Sequence, residues 1–82
     1  MWEVRKSPLR LERRFEFENY QQSSQFMKEI DFLCKESKIY PNISFGSKFV
    51  SLTIFSDLEE ISIKEREFTV KINEKFTNLT SE

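Results

Sequence analysis

The side chains that most often carry out chemistry in proteins are scarce in this sequence of 82 residues. It contains no histidine, so imidazole bases and most transition-metal sites are ruled out. The single cysteine, Cys34, falls on the apolar side of a predicted helix, with no activating partner nearby in the sequence. The single glycine cannot supply the repeated close backbone approaches of a phosphate-binding loop. The sequence therefore predicts no catalytic residue, no metal site and no cofactor.

The balance of charge argues against nucleic acid as the main partner. Thirteen basic and fourteen acidic residues give a net charge of −1, which does not suit a protein that neutralises phosphates. Basic residues predominate in positions 1–14 and acidic ones in positions 57–67. Two poles of opposite sign suit a protein partner, but the commoner explanation of such charges is a pair of solvated faces. Glu59 and Glu60 are adjacent on a predicted loop, where nothing nearby raises the pKa of either carboxyl group. We interpret them as solvated charges.

Cysteine use and hydropathy predict a soluble protein of a reducing compartment. A lone cysteine forms no internal disulfide, and no apolar run approaches the roughly eighteen residues of a membrane span.

The first half of the chain predicts a hairpin followed by a helix. Apolar and polar residues alternate from Leu9 to Phe17, which is typical of a half-buried strand, and the apolar residues at positions 2 and 4 predict a short partner strand. Arg13 is the one charge on the apolar side of this strand. Three explanations are open: the strand ends there, the side chain extends its apolar stem to bring the charge into solvent, or the residue belongs to a contact surface. Asn19 and Gln22 form a capping box. The helix ends near Lys35 to Lys38, and its predicted apolar face contains Tyr20, Phe26, Met27, Ile30, Leu33 and Cys34.

The second half predicts a strand and a second helix. A turn-rich connection, Pro41 to Gly46, precedes an alternating segment from Phe49 to Phe55, whose two partly apolar faces indicate a central strand. Ser62 and Glu65 form a second capping box, and Phe68, Ile72 and Phe76 give a helical stripe. Residues 78–82 should fray. The order is β-β-α-β-α, with a further strand possible between residues 39 and 45. We therefore predict one α+β domain spanning residues 1–82, with two helices on one face of a small, mostly antiparallel sheet.

These elements carry specific residues that resemble the pterin-4a-carbinolamine dehydratase family. The resemblance rests on a Trp-led hairpin, Phe-x-Phe before a helix, a Pro turn, a Val-x-Leu-Thr-Ile strand and an Ile-Ser-x-x-Glu helix start. The family's active site looks like a histidine pair before the proline, a third histidine after the next strand and an acidic residue at the following helix start. Ile39 and Tyr40 stand in place of the pair, Asp57 stands in place of the third histidine, and Glu65 keeps the acidic character. The resemblance thus implies the scaffold without its acid-base groups.

A narrower resemblance, to the dehydratase-like Rubisco assembly factors of α-carboxysomes, covers most of the chain. It rests on residues 11–17, on the segment Tyr-Pro-Asn-Ile-Ser-Phe-Gly at 40–46 and on residues 49–54. It implies a homodimeric, non-catalytic chaperone for Rubisco large subunits in the cytoplasm of a carbon-fixing bacterium, in association with carboxysomes. The residues that we predict to bind the partner are Arg10, Arg13, Arg14, Tyr40, Pro41, Asn42, Ser44, Phe45, Gly46 and Lys48.

Two other functions are open at this point. A divergent dehydratase would have to use Glu65, Asp57 or Tyr40 in place of histidine, and a dimerisation cofactor for another protein, such as a transcription factor, would need no catalysis. Phe45 is either a partner contact or a turn residue packed inward, since phenylalanine prefers burial. The sequence also does not decide whether Arg10, Arg13 and Arg14 meet the partner or only water.

Overall fold

The computed structural model describes residues 1–57 and 59–80. They form the elements β1 (Glu3–Arg5), β2 (Arg10–Glu16), α1 (Tyr20–Ser37), β3 (Asn42–Phe45), β4 (Phe49–Phe55) and α2 (Ile63–Thr80). The strands make one antiparallel sheet in the spatial order β1-β2-β4-β3. This confirms the predicted α+β class and the central position of the strand at 49–55.

The alternation of β2 and β4 decides which side of the sheet is buried. Leu11 of β2 lies opposite Ile54 of β4, and Phe15 lies opposite Val50. All four are buried, because opposite residues of an antiparallel pair project from the same face. The helices cover this face, and the residues between these positions project from the other one. We call the two sides the helix-covered face and the open face.

The chain between Pro41 and Gly46 is a strand rather than only a turn. Asn42–Phe45 pairs with β4 in an antiparallel register, Asn42 opposite Thr53 and Phe45 opposite Val50. This is the further strand that the sequence left open between positions 39 and 45. It lies at an edge of the sheet, and all four of its residues are exposed.

Ser62 and Glu65 form the predicted capping box, whereas at α1 Asn19 caps the helix and the Gln22 side chain reaches the residue before the cap. Gln22 donates its backbone N–H to Asn19 Oδ1 at 2.9 Å, while its own side-chain oxygen accepts from the N–H of Glu18 at 3.0 Å. The helix α1 ends at Lys38, whose left-handed conformation lets its N–H bond to Cys34 O at 2.7 Å. One prediction for this helix is wrong: Tyr20 is 61% exposed, because it is the first residue of α1 and lies at the rim of the core.

The predicted stripe of α2 faces the core, with Phe68 and Ile72 buried and Phe76 partly buried. Residues 78–80, expected to fray, are helical: Leu79 packs against the core and the Thr80 hydroxyl donates to Phe76 O at 2.9 Å. Residues 81 and 82 lie outside the described residues, so fraying of this end stays a prediction.

Aromatic rings fill the space between the sheet and the helices. Phe15 of β2 lies 4.8 Å from the Phe26 ring of α1 and 5.0 Å from the Phe76 ring of α2, and Phe17 contacts the same two rings. Such tilted and edge-on pairs stabilise beyond the area they bury. No helix within the described residues is long and apolar enough to cross a membrane.

Candidate functional site

The positions that the sequence resemblance predicts to correspond to the dehydratase site gather at one end of the sheet. The pairing of Asn42 with Thr53 places the chain before β3, including Tyr40, beside the carboxyl end of β4, after which Asp57 follows. Glu65, in the first turn of α2, reaches the same end, because its carboxylate accepts a hydrogen bond from the hydroxyl of Ser56 at 3.1 Å. The topology therefore brings the predicted positions to one end of the fold.

Glu65 is used there as a helix cap. Its Oε1 accepts the backbone N–H of Ser62 at 2.9 Å, and its own N–H donates to Ser62 Oγ at 3.1 Å. The hydrogen bonds from Ser62 and from Ser56 both end on Oε1 and hold the half-buried carboxylate in place. The one acidic residue that the sequence retains at its family position thus stabilises the start of α2.

The other three positions form no acid-base constellation. Ile39 packs against the hydrophobic core, whereas Tyr40 is 69% exposed and Asp57 is exposed after the end of β4. Within residues 1–57 and 59–80, no three metal-ligating side chains converge.

The residues predicted to bind a partner divide between the two faces of the sheet. Arg10 and Arg14 of β2 lie on the open face, and Asn42 and Ser44 of β3 share that face, since Ser44 is opposite Ser51, which in turn is opposite Arg14. Phe45 lies on the helix-covered face at the β3 edge. Arg13 lies on the helix-covered face too, with β4 between it and β3. The ten residues therefore do not make one continuous surface.

The charges of the open face are paired with one another. Arg10 Nε lies 2.7 Å from Glu12 Oε2, and Arg5 Nε lies 3.3 Å from Glu12 Oε1. The hydrogen bond from Arg10 lowers the pKa of the Glu12 carboxyl group, with help from Arg5. Arg14 lies 2.9 Å from Glu16 and stacks on the Phe49 ring at 4.0 Å. The charges of this face are therefore neutralised by one another. Because they lie at the surface, each ion pair contributes little to stability.

Phe45 borders a mostly apolar cleft of about 290 Å³ between β3 and α1. The ring is 57% exposed, so the alternative of a residue packed inward is wrong. The other lining residues are Tyr20, Ser23, Ser24, Met27, Lys28 and Asp31. Sequence reasoning assigned both Tyr20 and Met27 to the apolar face of α1. Met27 does pack against the core while it also lines the cleft, whereas Tyr20 is exposed.

Two more of the predicted residues, Gly46 and Lys48, lie in the turn between β3 and β4. Gly46 donates its N–H to Phe49 O at 3.0 Å, and Lys48 O accepts from the N–H of Phe17 at 2.8 Å. A Cβ atom at Gly46 would lie 2.5 Å from Cε1 of Phe49. The glycine therefore allows the Phe49 ring to lie over the turn, while the Lys48 side chain is exposed.

Arg13 lies in an aromatic setting. Its guanidinium lies 4.3 Å from the centre of the Phe15 ring and 5.4 Å from that of Phe76. Nη1 donates to Asn73 Oδ1 at 2.7 Å, and the same oxygen accepts the indole N–H of Trp2 at 2.8 Å. Trp2 and Asn73 were not among the predicted site residues, since 71 positions separate them and no spacing signal relates them. Of the three explanations for Arg13, the structure excludes a strand end.

Comparison with known proteins matches the fold to one family. The family model for pterin 4 alpha carbinolamine dehydratase matches residues 1–74. A solved pterin dehydratase-like protein, identified as a RuBisCO assembly factor in the alpha-carboxysome, superposes with a TM-score of 0.84 at 28% identity, over 92% of this chain and 88% of that one. A transcriptional coactivator/pterin dehydratase from Brucella melitensis gives a TM-score of 0.80 at 16% identity, over 90% and 80%, and shows the fold alone. No curated protein matches this chain in sequence. Because the family model spans nearly the whole sequence, the chain belongs to the pterin 4 alpha carbinolamine dehydratase family.

Proposed function

We propose that this protein is a non-catalytic chaperone that assists the assembly of Rubisco large subunits in α-carboxysome-type carbon fixation. The observation that carries the proposal is the likeness to the solved RuBisCO assembly factor, at 28% identity over 92% of the chain. Under this proposal the protein acts in the cytoplasm of an autotrophic bacterium, in association with carboxysomes.

The chemistry of the former dehydratase site supports a role without catalysis. Dehydration needs groups that give and accept protons, and the sequence offers no histidine for this. The Glu65 carboxylate accepts two hydrogen bonds, from the Ser62 N–H and from the Ser56 hydroxyl, so its Oε1 is engaged in the protein's own structure. The scaffold is retained while its chemistry is not, which fits a surface that works by binding.

The cleft beside Phe45 is the surface that we assign to the client. Tyr20 and Phe45 of its lining are exposed and Met27 is partly buried, and buried aromatic residues are often among the few that dominate the binding energy of an interface. The neighbouring edge of β3 is uncharged and paired on one side only, so its backbone groups can bond to an added strand.

We also propose that the protein is a homodimer. An 82-residue domain buries only about two thirds of the surface that its unfolded chain exposes. A second copy would cover apolar side chains that one copy leaves exposed, such as Phe32 at 62% and Ile43 at 38%. Sedimentation equilibrium over a range of concentrations measures this, and a monomer mass at the highest concentration contradicts it.

Co-expression with Rubisco tests the chaperone function. Rubisco subunits expressed with the wild-type protein should give more assembled holoenzyme on native gels than Rubisco expressed alone. Phe45→Ser should reduce this gain, whereas the matched Phe55→Ser, which removes a ring 48% exposed on the open face, should not. Equal holoenzyme with and without the wild-type protein refutes the function. Equal gains from the two variants refute the assignment of the cleft.

Family membership favours one alternative, a residual dehydratase that uses Glu65, Asp57 or Tyr40. Incubation with a pterin carbinolamine separates the two functions, because a dehydratase accelerates dehydration above the uncatalysed rate and a chaperone does not. A third function, as a dimerisation cofactor for another protein, is distinguished from the chaperone function by affinity capture from native cells. The mass of the captured protein identifies it, since a DNA-binding regulator and a Rubisco large subunit differ in mass.

A further inference from the structure

The cleft between β3 and α1 combines an apolar wall with two polar side chains of one helix face. Tyr20, Met27 and Phe45 supply the apolar part of the lining. Ser24 and Lys28 also line the cleft, and they lie on the same side of α1 because they are four residues apart in a helix. The cleft volume of about 290 Å³ is at the lower end of the range for ligand sites, so it suits one or two side chains rather than a cofactor.

Lys28 is the unmatched charge of this cleft. The other charged lining residue is Asp31, whose Oδ2 lies 3.0 Å from Nζ of Lys35. Lys28 is exposed, and within residues 1–57 and 59–80 no carboxylate oxygen lies within 4.0 Å of its Nζ. The cleft therefore presents one positive charge for which the described part of the chain supplies no counter-ion.

Ser24 adds a second donor without a partner. The hydroxyl of Ser23 is engaged, at 3.0 Å from Tyr20 O and 2.9 Å from Ser47 O. The half-buried Ser24 hydroxyl, in contrast, makes no hydrogen bond with the residues that the structure describes. A hydroxyl and an ammonium group one helical turn apart can both donate to the same carboxylate, and hydrogen bonds to ionised groups are the stronger ones.

We propose that this cleft binds a client segment in which a large apolar side chain stands next to an Asp or Glu residue. The inference rests on the proposed function for the identity of the client. The apolar side chain packs against Tyr20, Met27 and Phe45. The neighbouring carboxylate pairs with Lys28 and accepts a hydrogen bond from Ser24. The apolar contact supplies affinity, while the charged contact decides which segments bind, because electrostatic complementarity contributes to specificity more than to affinity.

Three variants test the charged contact in the full-length protein. Lys28→Met keeps the stem and removes the charge, and Ser24→Ala removes the hydroxyl. Lys64→Met is the matched control, because Lys64 is exposed at the start of α2, outside the cleft, and also has no ion pair with the described residues.

Affinity for isolated Rubisco large subunits should fall roughly three- to tenfold in Lys28→Met and about threefold in Ser24→Ala, and should be unchanged in the control. Added salt should weaken binding of the wild type more than that of Lys28→Met, since screening acts on the charged contact. Thermal unfolding of each variant establishes that it is folded. Unchanged affinity in folded Lys28→Met overturns the proposal.

Short blocked peptides separate this site from the identity of the client. The probes are Gly-Phe-Glu-Gly and the matched Gly-Phe-Gln-Gly, titrated into the protein while NMR follows the amide signals of the residues that line the cleft. The Glu peptide should shift these signals saturably and should bind Lys28→Met more weakly than the wild type. If this result holds while large subunits do not bind, the proposed function fails and the site stands. If the Glu and Gln peptides bind alike, the carboxylate contact is refuted.

Two other occupants of the cleft are outcomes of the same experiment. Acetylated Gly-Phe with a free terminal carboxylate represents the end of a chain, and if it binds while the Glu peptide does not, the proposal is overturned. Signals of the cleft residues that move with protein concentration alone show that a second copy of this chain fills the cleft, which also overturns it.

Discussion

Replacement of Glu65 distinguishes a structural carboxylate from the remnant of a catalytic one. In Glu65→Ala the backbone N–H of Ser62 loses this acceptor, and the hydrogen bond between the Ser56 hydroxyl and the carboxylate is removed. A lost cap and a lost hydrogen bond each cost about 1 kcal/mol, so we expect the free energy of unfolding to fall by about 2 kcal/mol. For 82 residues the whole stability is roughly 4–12 kcal/mol, so this is a substantial fraction.

Glu65→Gln provides the matched comparison. The amide keeps an oxygen that can accept from Ser62 and Ser56, and it loses only the attraction between the negative charge and the helix N-terminus, about 0.3–1 kcal/mol. Glu67→Ala, at an exposed position of the same helix, should change stability by no more than about 0.5 kcal/mol.

Urea unfolding followed by Trp2 fluorescence measures the free energy of unfolding of all three variants. In thermal unfolding, the midpoint temperature of Glu65→Ala should fall by about 8–16 °C, at about 4–8 °C per kcal/mol. Rubisco assembly with Glu65→Gln should equal that of the wild type, because Glu65 contacts no client in the proposal. If Glu65→Ala is as stable as Glu67→Ala, the capping account is refuted. If Glu65→Gln retains its stability but loses function, the carboxylate has a functional role that the geometry does not explain.

Three further predictions concern the scaffold. Gly46→Ala should lower the free energy of unfolding by about 1–3 kcal/mol in urea, because the added Cβ would lie 2.5 Å from the Phe49 ring. The loss should be much smaller in a Phe49→Ala background, and additive effects of the two substitutions would contradict this. Burial, aided by Asp31, raises the pKa of the Cys34 thiol, so iodoacetamide at pH 8 should label it far more slowly in the native protein than in urea, and equal rates would show that it is accessible. Asn19→Ala should cost about 1 kcal/mol and Asn19→Asp little, and equal midpoints for these two variants would contradict the cap at α1.

Local patterns predicted most of the elements because their physical causes are local. The alternation from Leu9 to Phe17 and from Phe49 to Phe55 reflects the period of a strand, and each capping box needs only residues three positions apart. The edge strand β3 was harder to assign. It has four residues, all exposed, so its sequence carries little hydrophobic signal, and the strand is defined by its pairing with β4.

The site could be predicted only in part. The absence of histidine and the presence of Glu65 at the start of α2 are facts of sequence, but that Glu65 is committed to Ser62 and Ser56 depends on how the end of β4 meets the helix. Likewise, the sequence marked Tyr20 and Phe45 separately, and only the packing of α1 beside the sheet edge places them in one cleft.

The sequence by itself determined most of the elements, the absence of histidine and the anomaly of a charge at Arg13 on an apolar strand face, because these depend on residue types and on short-range periodicity. Tertiary structure alone decided what surrounds that charge. Trp2 directly precedes β1, Arg13 lies in β2 and Asn73 lies in α2. They meet only because the antiparallel sheet and the helix packing bring distant segments together. Whether a side chain is paired or open to a partner depends on such long-range neighbours, which no local pattern encodes.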